Sequence, residues 1–216
     1  TMIPQIGIEL FKELNLAGGK LLDPYCGSGS SFTVGLDRGL EEMYGFDLNP
    51  LAILICKAKF TKISVPLLHD IQLKLKTAVA NIQSHKGQVE PVKPPDFYHI
   101  DFWFSKAVIA QLAILRHCID HLATLLSVKN FLRIVFSETV RECSYTRNNE
   151  FKLYRRKADE LLTFQPDVLG RFWEKLNQAV KIYETYYYPK LTTAKITLSH
   201  QFRPKYNYYD VVLTSP

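Results

Sequence analysis

The sequence predicts an α/β fold: an open, partial sheet with a nucleoside-type site at its strand ends, interrupted by a mostly helical insertion. Three observations predict it. Lys20-Leu-Leu-Asp-Pro-Tyr-Cys-Gly-Ser-Gly-Ser-Ser31 sets a short apolar strand, an acid and a glycine turn in immediate succession. Glu42-Met-Tyr-Gly-Phe-Asp47 gives a second strand that also ends in an acid. After a long, largely helical stretch, Thr193–Ser199 and Tyr209–Pro216 return to strand patterning.

In chain order, residues 2 to 16 form a proline-started amphipathic helix with Ile6, Leu10 and Leu14 on one face. On its own residues this reads as a packing helix, ended by Gly18-Gly19. Leu21 and Leu22 then make a buried strand with Asp23 at its carboxyl end. Gly27 and Gly29 form a tight turn, where only glycine lets backbone come close to a ligand. A helix starting near Ser30 points its free N–H groups at whatever the turn holds. Ligands of open α/β sheets bind off the carboxyl ends of strands, so Asp23 and Asp47 flank the expected site. The dinucleotide fingerprint fails, because Phe32 stands at the third glycine position, and the phosphate-binding P-loop is absent. Asp23 would repel a pyrophosphate but suits a cationic amine. The separation of Asp47 from Gly29 suits an acid that accepts ribose hydroxyls. An ammonium at one end and a ribose at the other describe S-adenosyl-L-methionine.

Asp23-Pro-Tyr-Cys-Gly-Ser-Gly29 followed by Gly45-Phe-Asp-Leu-Asn-Pro50 resembles the first two motifs of the amino-methyltransferases. These are Rossmann-like enzymes that methylate exocyclic amines of bases. The resemblance covers residues 1 to 64 and about 190 to 216. It implies a Rossmann-like methyltransferase core that binds S-adenosylmethionine through Asp23, Pro24, Tyr25, Gly27, Ser28, Gly29 and Asp47. Leu48 and Asn49 would border the adenine and ribose, and Ile3 and Pro4 would close over the methionine end. Thr214-Ser-Pro216 resembles the start of the family's (Ser/Asp/Asn)-Pro-Pro-(Tyr/Trp) catalytic motif. Ser215 and the Pro216 carbonyl would accept the amine hydrogens, so that positioning carries most of the chemistry. The second proline and the aromatic are missing, so the chain is expected to be the front part of an enzyme. The target base must be flipped out of a duplex. Serine at the first position favours cytosine N4 over adenine N6. RNA as substrate, and a non-catalytic remnant, are the alternatives.

The core is expected over 1–64 and 171–216, and the insertion over 65–170. Pro50 to Phe60 reads as a helix with proline in its first turn. In the insertion, Glu90–Asp96 is a proline-broken loop, and Phe102-Trp-Phe104 reads as buried aromatics, with an exposed functional patch as the alternative. A long helix runs over Phe104–Leu126, apolar at Val108, Leu112, Leu115, Ile119 and Leu122. His117 and His121 share one of its faces, with no third ligand to make a metal site. Phe131–Ser137 reads as a strand or buried segment. The basic run Arg141–Lys157 interleaves Arg147, Lys152, Arg155, Arg156 and Lys157 with Tyr145, Phe151 and Tyr154. Such interleaving suits phosphates and stacked bases; a solvated charged loop is the plain alternative. Pro166–Tyr188 is a helix with Phe172, Leu176, Val180 and Tyr183 on one side. Thr193–Ser199 is the third sheet strand and places Ser199-His200 at its end. Tyr209–Pro216 is the fourth, with a buried Val-Val-Leu.

The 216 residues, 47% of them apolar, suffice for one core with a sizeable insertion. The net charge of +6 and pI of about 9.0 are compatible with DNA as partner. Four cysteines without a C-x-x-C pair signal neither zinc nor a redox motif, and point to free thiols in the cytoplasm. No apolar run spans a membrane. The strand Asp210–Leu213 is expected as an open sheet edge, which invites self-association or a complementing C-terminal fragment.

Overall fold

A computed structural model describes residues 4–15, 18–84, 92–147 and 152–213. In chain order the elements are α1 (Pro4–Glu13), β1 (Lys20–Asp23), α2 (Ser30–Asp37), β2 (Glu42–Phe46), α3 (Pro50–Phe60), α4 (Val65–Ser84), α5 (Ile100–Trp103), α6 (Lys106–Leu122), α7 (Leu126–Cys143), α8 (Ala158–Thr163) and α9 (Val168–Ile182). A π-helical turn (Tyr183–Tyr187), α10 (Tyr188–Lys190), β3 (Lys195–Ser199) and β4 (Val211–Val212) follow. Two compact units result: residues 1–65 with 182–216, and residues 66–181. Among the described residues no helix is long and apolar enough to cross a membrane.

The first unit is built on a sheet of order β3-β2-β1-β4, parallel throughout. Strands covered on both faces carry near-continuous apolar runs rather than alternation, as β1 and β2 do. Leu21 pairs with Met43 on one face, and Leu22 with Tyr44 on the other. The first face packs so tightly on α2 that a Cβ at Gly35 would lie 2.6 Å from the Met43 sulfur. On the second face Leu22, Tyr44 and Phe46 pack against Tyr208 and Tyr209. These tyrosines belong to the crossover from β3 to β4, residues 200–210, which contains no helix. Asn49 caps α3 by accepting from the Leu51 N–H at 3.0 Å, with Pro50 behind it. Tyr183, buried in the π-helical turn, accepts from the Ile63 N–H at 2.6 Å and donates to the Thr61 carbonyl at 2.9 Å.

The expected buried Val-Val-Leu is corrected here. Leu213 is buried, but Val211 is only partly so and Val212 is 61% exposed. The reason is position: β4 is the edge of the described sheet and pairs with β1 alone. Ile3, Ser215 and Pro216 lie outside the described residues, and Pro4 opens α1.

The second unit is helical. Its core repeats at steps of three and four: Leu68, Ile71, Leu75 and Val79 on α4; Val108, Leu112, Leu115 and Ile119 on α6; Phe172, Leu176 and Val180 on α9. Phe131–Ser137 is not a strand but the middle of α7. Along α7 the buried positions Val128, Leu132, Val135 and Thr139 follow helical spacing, and the adjacent β-branched Ile134 and Val135 made the segment look extended. The expected helix Phe104–Leu126 is α6, shorter at both ends. Phe104 is extended, and the Ser105 hydroxyl accepts the Val108 N–H at 3.3 Å to start α6 afresh. α9 joins this unit through Arg171 and Lys175, which pair with Glu142 at 3.4 and 2.7 Å, and through an Asn177–Gln72 hydrogen bond. The second division between units therefore falls after Lys181 rather than at 171.

Candidate functional site

β1 and β2 are parallel and in register from Lys20↔Glu42 to Asp23↔Gly45, so their carboxyl ends open side by side. Asp23 is buried there. Its Oδ1 accepts the Tyr25 N–H at 3.0 Å and its Oδ2 accepts the Ser31 hydroxyl at 2.5 Å. Burial pushes its carboxyl above the usual carboxylate range; the Ser31 and Tyr25 hydrogen bonds oppose this, and the nearby Asp47 charge adds to it. Asp47 lies just past β2. One of its oxygens accepts the Gly27 N–H and the other the Asn49 N–H, both at 2.8 Å.

The glycine turn between β1 and α2 has an open side and a sealed side. Gly27 (φ +50°) has nothing within 4 Å of where a Cβ would stand. At Gly29 (φ +80°) a Cβ would meet the Phe60 ring at 2.4 Å and the Cys56 sulfur at 3.0 Å. Behind the turn, the Cys56 thiol reaches the Gly27 carbonyl at 3.1 Å, and the Lys59 ammonium donates to the Ser28 carbonyl at 2.9 Å. Burial lowers the Lys59 pKa from its usual value. The rim carries exposed Tyr25, partly buried Pro24 and Leu48, which is 89% exposed. Asn49 spends its side-chain oxygen on capping α3. β3 ends beside the site, its Ser199 carbonyl accepting the Asp47 N–H at 3.3 Å, and His200 beyond it is exposed.

Chemically, a buried carboxylate suits a cation, and a second one with lone pairs to spare suits a pair of hydroxyls. The open face over Gly27 leaves room between them. Ser31, Cys56 and Lys59 were not singled out from sequence. Ser31 could have been found as a hydroxyl one turn from the glycines; nothing local marks Cys56 or Lys59, because their partners lie across the fold.

In the helical unit, the basic run folds back on itself through an antiparallel bridge between Thr146 and Arg155. The Arg155 Nε donates to the Phe102 carbonyl at 2.9 Å, and its guanidinium lies over the rings of Phe102 at 4.4 Å and Tyr145 at 5.3 Å. Arg156 sits over Phe164 at 4.2 Å, with its Nε buried and without a hydrogen-bond partner. Lys152 and Lys157 are exposed, and the Arg147 N–H bonds the Tyr154 carbonyl at 2.8 Å. Phe102, expected to be buried, is 45% exposed because its ring packs against Arg155 at the surface rather than in the core. His117 and His121 stack with ring centroids 4.0 Å apart, and a His121 ring nitrogen bonds the His117 carbonyl.

Over 232 aligned positions the chain is 37% identical to the type II methyltransferase M.MvaI of Kocuria varians, and the match takes in all of this chain. The chain is similar to a type II methyltransferase. It spans half the length of that curated relative. No protein-family model and no solved structure matches the chain. The parallel sheet with its helices is consistent with a Rossmann-like methyltransferase fold.

Proposed function

We propose that this chain carries the S-adenosylmethionine site of a DNA methyltransferase that modifies an exocyclic base amine, cytosine N4 in preference to adenine N6. The observation that carries the reading is the pair of carboxylates, Asp23 and Asp47, on either side of an open glycine turn. The similarity to a type II methyltransferase supports it. When bound, the cofactor supplies an electrophilic methyl group on a sulfonium. In this reading Asp23 takes the cofactor's ammonium, and Asp47 accepts the ribose hydroxyls with lone pairs its two amide partners leave free. Gly27, Ser28 and Gly29 line the turn. Pro24, Tyr25, Leu48 and Asn49 border the ligand, and Ile3 and Pro4 close its methionine end. Ser215 and Pro216 accept the hydrogens of the target amine. Arg147, Lys152 and Lys157 meet DNA phosphates, with Arg155 and Arg156 held on their aromatic neighbours. No step calls for a metal. The open edge at β4 is the surface for self-association or a completing C-terminal segment. Four free thiols fit the cytoplasm. RNA is the second substrate, and a chain that only binds cofactor or nucleic acid is the non-catalytic alternative.

Methyl transfer from labelled cofactor to DNA, in the chain extended to its relative's length, tests the reaction; transfer to RNA alone or to neither redirects the assignment. The pH dependence of S-adenosylhomocysteine binding tests the site. The ammonium binds ionised Asp23, whose pKa is raised. Affinity is therefore full above that raised pKa and falls as pH drops through it. Without ligand, protonated Asp23 favours folding: that stability is present below the unfolded-state pKa and is lost as pH rises through the folded one. In Asp23→Asn the acid-side loss of affinity disappears. An unaltered pH profile in that variant removes Asp23 from the ammonium. For DNA binding, Arg147→Ala, Lys152→Ala and Lys157→Ala together lower the salt slope by about one unit for each phosphate that is no longer neutralised. Equal slopes in parent and variant place the phosphate surface elsewhere.

A further inference from the structure

Residues 200–209 cross from β3 to β4 over one face of the sheet. The segment reads His-Gln-Phe-Arg-Pro-Lys-Tyr-Asn-Tyr-Tyr, and the one acid of the crossover, Asp210, follows it and accepts the Lys20 N–H at 2.8 Å. Its inward side is anchored. The Tyr208 and Tyr209 rings meet the Tyr44 ring at 5.6 and 5.2 Å, and the Tyr44 and Tyr208 hydroxyls both donate to the Glu42 carboxylate. Phe202 sets its edge against Phe46 at 5.1 Å, and the Lys205 N–H donates to the Tyr209 hydroxyl at 3.2 Å. The outward side is different in kind. Arg203 is exposed, Phe202 is 58% exposed and Tyr206 is 94% exposed, whereas the Lys205 ammonium folds over the Tyr208 ring at 4.1 Å. Tyr206 stands at the tip of a turn that Asn207 makes possible with φ +50°.

An aromatic ring held fully in water on a braced turn, with the exposed cation Arg203 three residues before it, has the composition of a surface that stacks bases and neutralises phosphates. We infer that this crossover is a nucleic-acid contact, separate from the basic run of the helical unit, at which Tyr206 stacks an unpaired base and Arg203 meets a phosphate. The inference rests on the reading that the substrate is a nucleic acid. A ring can stack only on a base whose face is free, so the ligand is single-stranded or locally opened nucleic acid rather than intact duplex. The crossover starts at the end of β3, where Ser199 contacts Asp47, which brings such a strand to the carboxyl edge of the sheet.

The test is binding of a labelled single-stranded oligonucleotide, and of the duplex of the same sequence, across a salt series. Tyr206→Ala weakens single-strand binding about tenfold, the equivalent of one base–aromatic stack, and duplex binding by less. Arg203→Gln lowers the single-strand salt slope by about 0.7. Both side chains are exposed, so thermal melting and S-adenosylhomocysteine affinity stay at parent values. Parent-like single-strand affinity in Tyr206→Ala overturns the inference. If that variant still methylates DNA and binds cofactor as the parent does, only the crossover assignment falls. If the parent binds cofactor but no oligonucleotide, the nucleic-acid substrate falls with it.

Discussion

Gly29→Ala is expected to destabilise the chain by about 3 kcal/mol or more. Two effects add. A φ of +80° is a left-handed conformation that costs an L-residue roughly 1–2 kcal/mol. The new methyl also meets the Phe60 ring and the Cys56 sulfur at 2.4 and 3.0 Å. Phe60 is buried and holds an edge contact with Phe32, so it has little freedom to retreat. Overpacking of that kind costs about 1–3 kcal/mol. Gly27→Ala is the control. Its φ is also positive, but no atom blocks the methyl, so only the conformational part, about 1–2 kcal/mol, is expected. The two substitutions then separate stability from binding: Gly29→Ala harms the fold more, and Gly27→Ala harms ligand affinity more, because its methyl fills the open side of the turn. Denaturant unfolding and calorimetry with S-adenosylhomocysteine measure the two quantities. The opposite ranking would show that the ligand lies on the Phe60 side.

Asp47→Ala is expected to lower affinity for S-adenosylhomocysteine by about 1–3 kcal/mol, the range for hydrogen bonds to a charged acceptor. It also leaves the Gly27 and Asn49 N–H groups without their acceptor, so a drop in melting temperature accompanies the weaker binding. Asp47→Asn keeps a carbonyl oxygen for one of those amides and is expected to fall between parent and alanine in both measurements. A folded Asp47→Ala with parent affinity would take Asp47 out of the ligand site.

What could be read ahead of the structure was local. β2 and α3 have the bounds that Glu42–Phe46 and Pro50–Phe60 suggest, because strand-ending acids and a helix-opening Asn-Pro act on their immediate neighbours. The acid–glycine turn was legible for the same reason. Phe131–Ser137 was left as a strand or a buried segment, and only the second holds, because a window of seven residues cannot separate a buried helix face from a strand when β-branched residues are mixed in. The Ser105 cap was visible in principle, and the expected helix was begun one residue ahead of it. Arg155 and Arg156 looked like free cations, because the rings they cover, Phe102 and Phe164, lie far off in one case and beyond α8 in the other. Lys59 and Cys56 brace the turn from α3, and the tyrosines of the crossover cover a sheet face in place of a helix. These are pairings at long sequence separation, and they have no signature in spacing.

The two amides that Asp47 holds belong to different connections. Gly27 is in the link from β1 to α2, and Asn49 in the link from β2 to α3. One carboxylate thus fastens two loops to each other. Fixing a backbone residue costs about 1–2 kcal/mol of conformational entropy, and here much of that ordering is complete when the chain folds. A ligand arriving at this edge meets a preorganised site and keeps more of its contact energy as affinity. The loops also lose their independence. Opening one requires Asp47 to let go of an amide that helps define the other, so hydrogen exchange at Gly27 and Asn49 should slow together when the site is filled.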